Sequence, residues 1–224
     1  MKKFMILAAV AMLVGRASAA VRDTISLNTG WQFHLGELSG IEAVKNAKSE
    51  RVNLPHDFLI GQPWVEPDAS ERPDNSDEGS NVRSRLSPRG FKEMNVGWYR
   101  YVLTPKAEWK GRRVVLDFQG IMLVGDVWLN GKHIGKTDYG YLGFDTDISS
   151  ILKYDGDNEI IVKANTQQPN NSRWYTGGGL YRDVNIIVTD KKLYFPRHPL
   201  FIRTENNKKV KIQAEIACFN KVDN

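Results

Sequence analysis

Val124-Gly125-Asp126-Val127-Trp128-Leu129-Asn130-Gly131-Lys132-His133-Ile134-Gly135-Lys136 reads as two strands joined by a two-residue turn. Val127 and Leu129 flank Trp128 with period two, the alternation of a half-buried strand. Asn130-Gly131 supplies the two positive-φ residues that a type I′ turn demands, so the register of a β-hairpin over 124–129 and 132–136 is set locally. The same alternation recurs upstream, where Val114, Leu116 and Phe118 interleave with Val115, Asp117 and Gln119. Turn signals at Lys110-Gly111, Asp155-Gly156 and Asn170-Asn171 separate the strands at the spacing of an antiparallel sandwich, not of strand-helix units. Helix is expected in only two short places: around Ile41 to Lys48, and one turn at Ile148 to Leu152 with Asp147 as its N-cap.

Outward from this core the chain changes character. Pro63 to Asn95 is polar and rich in Pro, Asp, Ser, Arg and Gly, and is read as a long loop between two strand-rich blocks. Lys192 to Pro199 reads as a linker. Beyond it, Val210, Ile212, Ala214 and Ile216 alternate with polar residues as a half-buried strand. About 30 residues remain there, against about 100 for an immunoglobulin-like sandwich, so the expectation is a second domain that the chain only begins.

The N-terminus predicts export. Lys2 and Lys3 precede a short apolar run from Phe4 to Gly15, and Ala17-Ser18-Ala19 has the small-x-small pattern of a signal peptidase site. Cleavage after Ala19 or Ala20 would give a periplasmic or secreted protein without stable membrane insertion; an uncleaved anchor, with Arg16 before the cleavage motif, is the competing reading. The net charge of +5 includes Lys2, Lys3 and Arg16, and without them 28 basic residues face 26 acidic ones. No basic stripe points to nucleic acid. Cys218 is the only cysteine, which excludes a disulfide within the chain and a cysteine-built zinc site.

Catalytic motifs are missing where they are sought. There is no Gly-x-Ser-x-Gly elbow, and Gly177-Gly178-Gly179 is not followed by the Lys-Ser/Thr of a phosphate loop. His34, His56, His133 and His198 show no ligand spacing. Asp145 and Asp147 would share one face of a strand, yet a turn residue and a helix cap explain them equally, and no acid and nucleophile pair for glycoside hydrolysis can be singled out. Saccharide binding fits better. Arg173-Trp174-Tyr175, three glycines and Tyr181-Arg182-Asp183 bring aromatic platforms and bidentate polar groups together. The competing reading makes Trp174 and Tyr175 core aromatics and Arg182-Asp183 a surface ion pair.

An ordered set of motifs then carries a resemblance. Leu27-Asn28-Thr29-Gly30 with Trp31-Gln32-Phe33, Leu54-Pro55-His56-Asp57, Gly97-Trp98-Tyr99-Arg100 and Leu116-Asp117-Phe118-Gln119-Gly120 come first. Val127-Trp128-Leu129-Asn130-Gly131, Gly140-Tyr141, Gly156-Asp157-Asn158 and Arg173 through Val184 follow. The chain resembles the N-terminal sugar-binding domain of glycoside hydrolase family two, β-galactosidases, β-glucuronidases and β-mannosidases among them. The resemblance implies an all-β fold: a jelly-roll, galactose-binding-like β-sandwich over 20–190, then from 191 to 224 a linker and the first strands of an incomplete immunoglobulin-like β-sandwich. It implies retaining hydrolysis of a β-galactoside or related oligosaccharide, with both catalytic glutamates in a C-terminal TIM barrel that this sequence does not reach. No residue here is assigned as catalytic. The substrate-binding candidates are Asp183, Arg182, Trp174, Tyr175, His56 and Asp57. Asp183 matches the aspartate that in β-galactosidases of the family contacts a sugar hydroxyl and helps bind a monovalent cation. No cofactor is expected for this chain, with Na+ or Mg2+ reserved for the full-length enzyme. The partners implied are the saccharide, the barrel and a homo-oligomer. A free-standing carbohydrate-binding module and a purely structural domain remain as alternatives.

Overall fold

The computed structural model describes residues 22–65, 92–167, 175–205 and 209–218. Two antiparallel sheets face each other, with strands numbered along the chain. The smaller orders β1 (Asp23–Ser26), β10 (Val184–Thr189), β5 (Arg113–Phe118) and β8 (Phe144–Asp147). The larger orders β3 (Glu50–Val52), β2 (Trp31–Leu35), β4 (Val96–Leu103), β9 (Asn158–Asn165), β6 (Val124–Leu129) and β7 (Lys132–Thr137). The chain crosses repeatedly between the sheets, and the all-β sandwich expected from the alternation is the fold observed.

Period two decides what is buried. Val114, Leu116 and Phe118 of β5 and Val184, Ile186 and Val188 of β10 meet Val127 and Leu129 of β6 and Ile160, Val162 and Ala164 of β9 in one core. Ile161, one residue out of phase on β9, points to the opposite face of the larger sheet. There it joins Trp98 and Val96 in a second apolar cluster with Val44. Val44 ends α1 (Ile41–Val44), a single turn that is shorter than the helix expected to Lys48. Its N-cap is Gly40, which has no side chain to cap the free N–H groups. The turn after β8 does form: Asp147 Oδ1 accepts from Ser149 N at 3.0 Å, and Ile151 N donates to Ile148 O at 2.9 Å.

The hairpin has the expected geometry. Leu129 pairs with Lys132, and Asn130 (φ 52°) and Gly131 (φ 81°) occupy the left-handed positions. Asn130 also reaches the next strand: its Nδ2 donates to Asn158 Oδ1 at 2.8 Å, and its Oδ1 accepts from Glu159 N at 3.0 Å. Most of the expected Pro63–Asn95 loop lies outside the described residues. Its ends are bridged by Trp64 and Lys92, whose Nζ sits 4.1 Å above the Trp64 ring.

Asp145 lies within β8, not in a turn, opposite Asp117. Past residue 190 the linker contains β11 (Leu193–Tyr194), paired with β14 (Ala217–Cys218). β12 (Leu200–Glu205) and β13 (Lys209–Ala214) form a separate hairpin. The strand around Val210 and Ile212 exists, but it is not half-buried: both residues are more than 60% exposed. Among the described residues this hairpin has no second sheet against which to turn an apolar face. Among the described residues, no helix is long and apolar enough to cross a membrane.

Candidate functional site

The Gly177–Gly179 stretch is held between two other segments at one end of the sandwich. On one side His56 N donates to Leu180 O (2.8 Å) and Phe58 N to Gly178 O (3.0 Å). On the other, Met122 and Gly179 exchange both backbone bonds, at 2.9 and 2.7 Å. Gly177 and Gly179 have φ of +73° and +108°. A Cβ on Gly178 would lie 2.7 Å from Thr166 Cγ2, and one on Gly179 would collide with the Tyr99 hydroxyl. These glycines therefore let backbone approach neighbouring backbone and side chains of the sandwich itself.

His56 and Asp57 lock this arrangement. His56 Nδ1 lies 2.9 Å from the hydroxyl of Tyr99, and its ring meets the Phe33 ring edge-on at 4.7 Å. Burial lowers the His56 pKa below the usual imidazole value, against the opposing influence of Glu50 and Asp57. Burial likewise pushes the Tyr99 phenol up. Asp57 caps a 3-10 turn over Phe58–Gly61: its Oδ1 accepts from Leu59 N at 3.0 Å and from Gly178 N at 2.8 Å. Its Oδ2 accepts from the Tyr175 hydroxyl at 2.8 Å. Both carboxylate oxygens of Asp57 thus have partners inside the protein. Tyr175 is 42% exposed, a half-open aromatic face anchored by its hydroxyl. Trp174 and Arg173 lie outside the described residues.

Asp183 and Arg182 part company. Asp183 immediately precedes β10 and is half-buried; its Oδ1 accepts from Asn28 Nδ2 at 2.8 Å. Among the described residues its Oδ2 has no hydrogen-bond partner. Arg182 is exposed, with its guanidinium 5.1 Å from the Tyr181 ring centroid. It lines a cleft of about 410 Å³ on the outer face of the smaller sheet, together with Arg22, Tyr141, Asp145 and the Asp117–Arg197 pair. That pair closes at 2.6 Å, and burial raises the Asp117 pKa even against the lowering effect of Arg197. An Arg182–Asp183 surface ion pair is therefore not what the structure forms: the aspartate is held by an asparagine instead.

The cation expected at Asp183 finds no assembled site among the described residues. Among the described residues no group of three His, Cys, Asp or Glu converges, and the neighbouring amide turns its nitrogen, not its oxygen, toward the carboxylate. Two further residues emerge that sequence reasoning did not select for the site. Tyr99 enters the sequence reading only within the Gly97-Trp98-Tyr99-Arg100 motif, yet its hydroxyl meets His56 and also accepts from Leu180 N at 3.4 Å. Asn28 was visible only as one letter of a motif.

Two facing antiparallel sheets around one apolar core make this an all-β sandwich module. Residues 91–188 match the family model described as the glycosyl hydrolase 2 galactose-binding domain-like, and the chain belongs to that family, as part of its N-terminal region. It is 30% identical over 172 residues to the β-galactosidase BoGH2A of Bacteroides ovatus, covering 75% of this chain and 18% of that protein. It is 29% identical over 183 residues to a β-glucuronidase of Bacteroides fragilis, covering 79% of this chain and 22% of the relative. The crystal structure of a β-glycosidase from Bacteroides vulgatus superposes with a TM-score of 0.70 at 29% identity, covering 89% of this chain and 25% of that one. The chain spans about a fifth of the length of these curated relatives.

Proposed function

We propose that this chain is the N-terminal, non-catalytic portion of an exported retaining β-glycosidase whose preferred substrate is a β-galactoside. In this reading Asp183 reaches from the end of the sandwich to a hydroxyl of a sugar held by a barrel domain encoded beyond residue 224. One observation supports it: among the described residues Asp183 is tethered through Oδ1 alone, and its Oδ2 has no protein partner there. The relatives, roughly four times as long, give the room for a catalytic domain. His56 and Asp57 brace the neighbouring segment through Leu180 O, Gly178 N and the Tyr175 hydroxyl. Tyr175, next in sequence to Trp174, supplies a half-open aromatic face. Lys2-Lys3, the apolar run and Ala17-Ser18-Ala19 support export to the periplasm or beyond. A monovalent cation at Asp183 would need ligands from the remainder of the enzyme.

The test is a panel of nitrophenyl β-galactoside, β-glucuronide and β-mannoside offered to the full-length enzyme and to the mature chain alone. The full-length enzyme should turn over the galactoside fastest and the isolated chain should turn over none. Preference for the glucuronide would overturn the galactosidase reading. Sustained turnover by the isolated chain, abolished by a substitution within it, would overturn the non-catalytic one.

A further inference from the structure

Asn28 follows β1 and lies 155 positions from Asp183 in sequence, yet its side chain spans the junction at which Asp183 enters β10. Its amide is used at both ends. Oδ1 accepts from Val184 N, the backbone group next to Asp183, at 3.1 Å, and Nδ2 donates to Asp183 Oδ1 at 2.8 Å. The first bond decides the second: a backbone N–H can only donate, so it fixes the amide oxygen toward Val184 and turns the amide nitrogen toward the carboxylate. Neither aspartate nor serine reproduces this geometry, since ionised aspartate has no proton to give and a single hydroxyl cannot span both partners.

The backbone at Asn28 is fixed independently of its amide. Leu27 N donates to Val184 O at 2.8 Å, Leu54 N donates to Asn28 O at 2.7 Å, and Asn28 N donates to Ser26 Oγ at 3.2 Å. The bond to Leu54 leads directly into the Pro55-His56-Asp57 segment. Gln119 N also donates to the Asp183 carbonyl at 3.0 Å, so the main chain of Asp183 is held from β5 while its side chain is held from β1. With backbone and one carboxylate oxygen both anchored, the rotation of the carboxylate is the freedom that Asn28 removes.

We infer that Asn28 is a positioning residue: it orients the Asp183 carboxylate so that Oδ2 faces the sugar, and it acts on the reaction only through Asp183. The inference rests on the proposed contact between Asp183 and substrate. A donor held rigidly in place before substrate arrives spares the site from ordering the carboxylate during the reaction, and that saving appears in transition-state binding.

A double-mutant cycle in the full-length enzyme tests this, with Asn28→Ala, Asp183→Ala and the double variant compared in kcat/KM and in thermal stability. Asn28→Ala should lower kcat/KM by about 10-fold, the scale of one lost hydrogen bond to a charged group, with kcat falling more than KM rises. In the Asp183→Ala background the same substitution should change kcat/KM by less than about twofold, because the group it positions is gone. Multiplying losses, or an Asn28→Ala enzyme as active as the parent, would overturn the positioning role while leaving the Asp183 contact standing. An unimpaired Asp183→Ala enzyme would overturn that contact, and the positioning role with it. A purely structural Asn28 would lower thermal stability equally in both backgrounds and leave kcat/KM of the folded enzyme unchanged, which also counts against the inference.

Discussion

Replacing Asp57 by alanine should unfold the glycine stretch from the sandwich end, and the loss can be worked bond by bond. Three donors converge on this carboxylate: Leu59 N, Gly178 N and the Tyr175 hydroxyl. Tyr175 is half open, so its hydroxyl turns to water at little cost. Leu59 and Gly178 are buried, and their N–H groups are left without an acceptor. A hydrogen bond to a charged group is worth about 1.5 to 3 kcal/mol, so two of them set a loss of about 3 to 6 kcal/mol for Asp57→Ala. Asp57→Asn keeps an acceptor oxygen for both backbone donors and presents an amide N–H to the tyrosine oxygen. It should lose about 1 to 2 kcal/mol, because charge assistance goes but no donor is orphaned. Urea denaturation of the mature chain, followed through the fluorescence of buried Trp31 and Trp109, reads both values. A loss below about 1 kcal/mol for Asp57→Ala, or equal losses for the two variants, would refute the argument that Asp57 is an internal bolt.

Three further outcomes follow from the same contacts. His56 has a folded pKa below 6.5, so folding favours its neutral form; its contribution to stability is complete above pH 6.5 and is lost as pH falls through the folded value, and His56→Gln should flatten that part of a stability-against-pH curve. Arg197→Ala removes the cation facing Asp117, a carboxyl that burial already raises. Since a raised carboxyl is tolerated when protonated and penalised when ionised, the variant should lose about 1 to 3 kcal/mol near pH 7 and less near pH 4, as chemical denaturation at the two values would show. Hydrogen exchange should be fast across β12 and β13, where Phe201, Ile202, Val210 and Ile212 are all exposed, and slow across β4 and β9; protection of the hairpin equal to that of β9 would contradict the packing described.

What was legible in the sequence was legible for local reasons. A two-residue turn declares itself in Asn130-Gly131 because both residues must accept positive φ, and period two announces that Val114, Leu116 and Phe118 face the core together. Asp183 stood out through its motif, but its partner did not. The Asn28 amide meets it across 155 positions, and no pattern along one strand encodes a contact made by folding. Arg182 and Asp183 are adjacent in sequence and were read together, yet one faces the outer cleft and the other the strand junction, as neighbours in extended chain do. The glycines show the same limit: the run of three stands out in the sequence, while the neighbour packed against Gly179, the Tyr99 hydroxyl beside His56, required the fold. The exposed β12–β13 hairpin marks the reverse case, where an apolar alternation was real but had no sheet among the described residues to cover it.

The central claim is that Asp183 serves a bound sugar and not the fold. Asp183→Asn in the full-length enzyme keeps an acceptor oxygen for Asn28 and removes the charge offered at the other position. Steady-state kinetics on a β-galactoside, measured beside thermal unfolding of the same preparation, separates the two roles. The account predicts a fall in kcat/KM of roughly 10- to 1,000-fold, about 1 to 4 kcal/mol of transition-state binding, with stability changed by less than about 1 kcal/mol. Unchanged kinetics would contradict it.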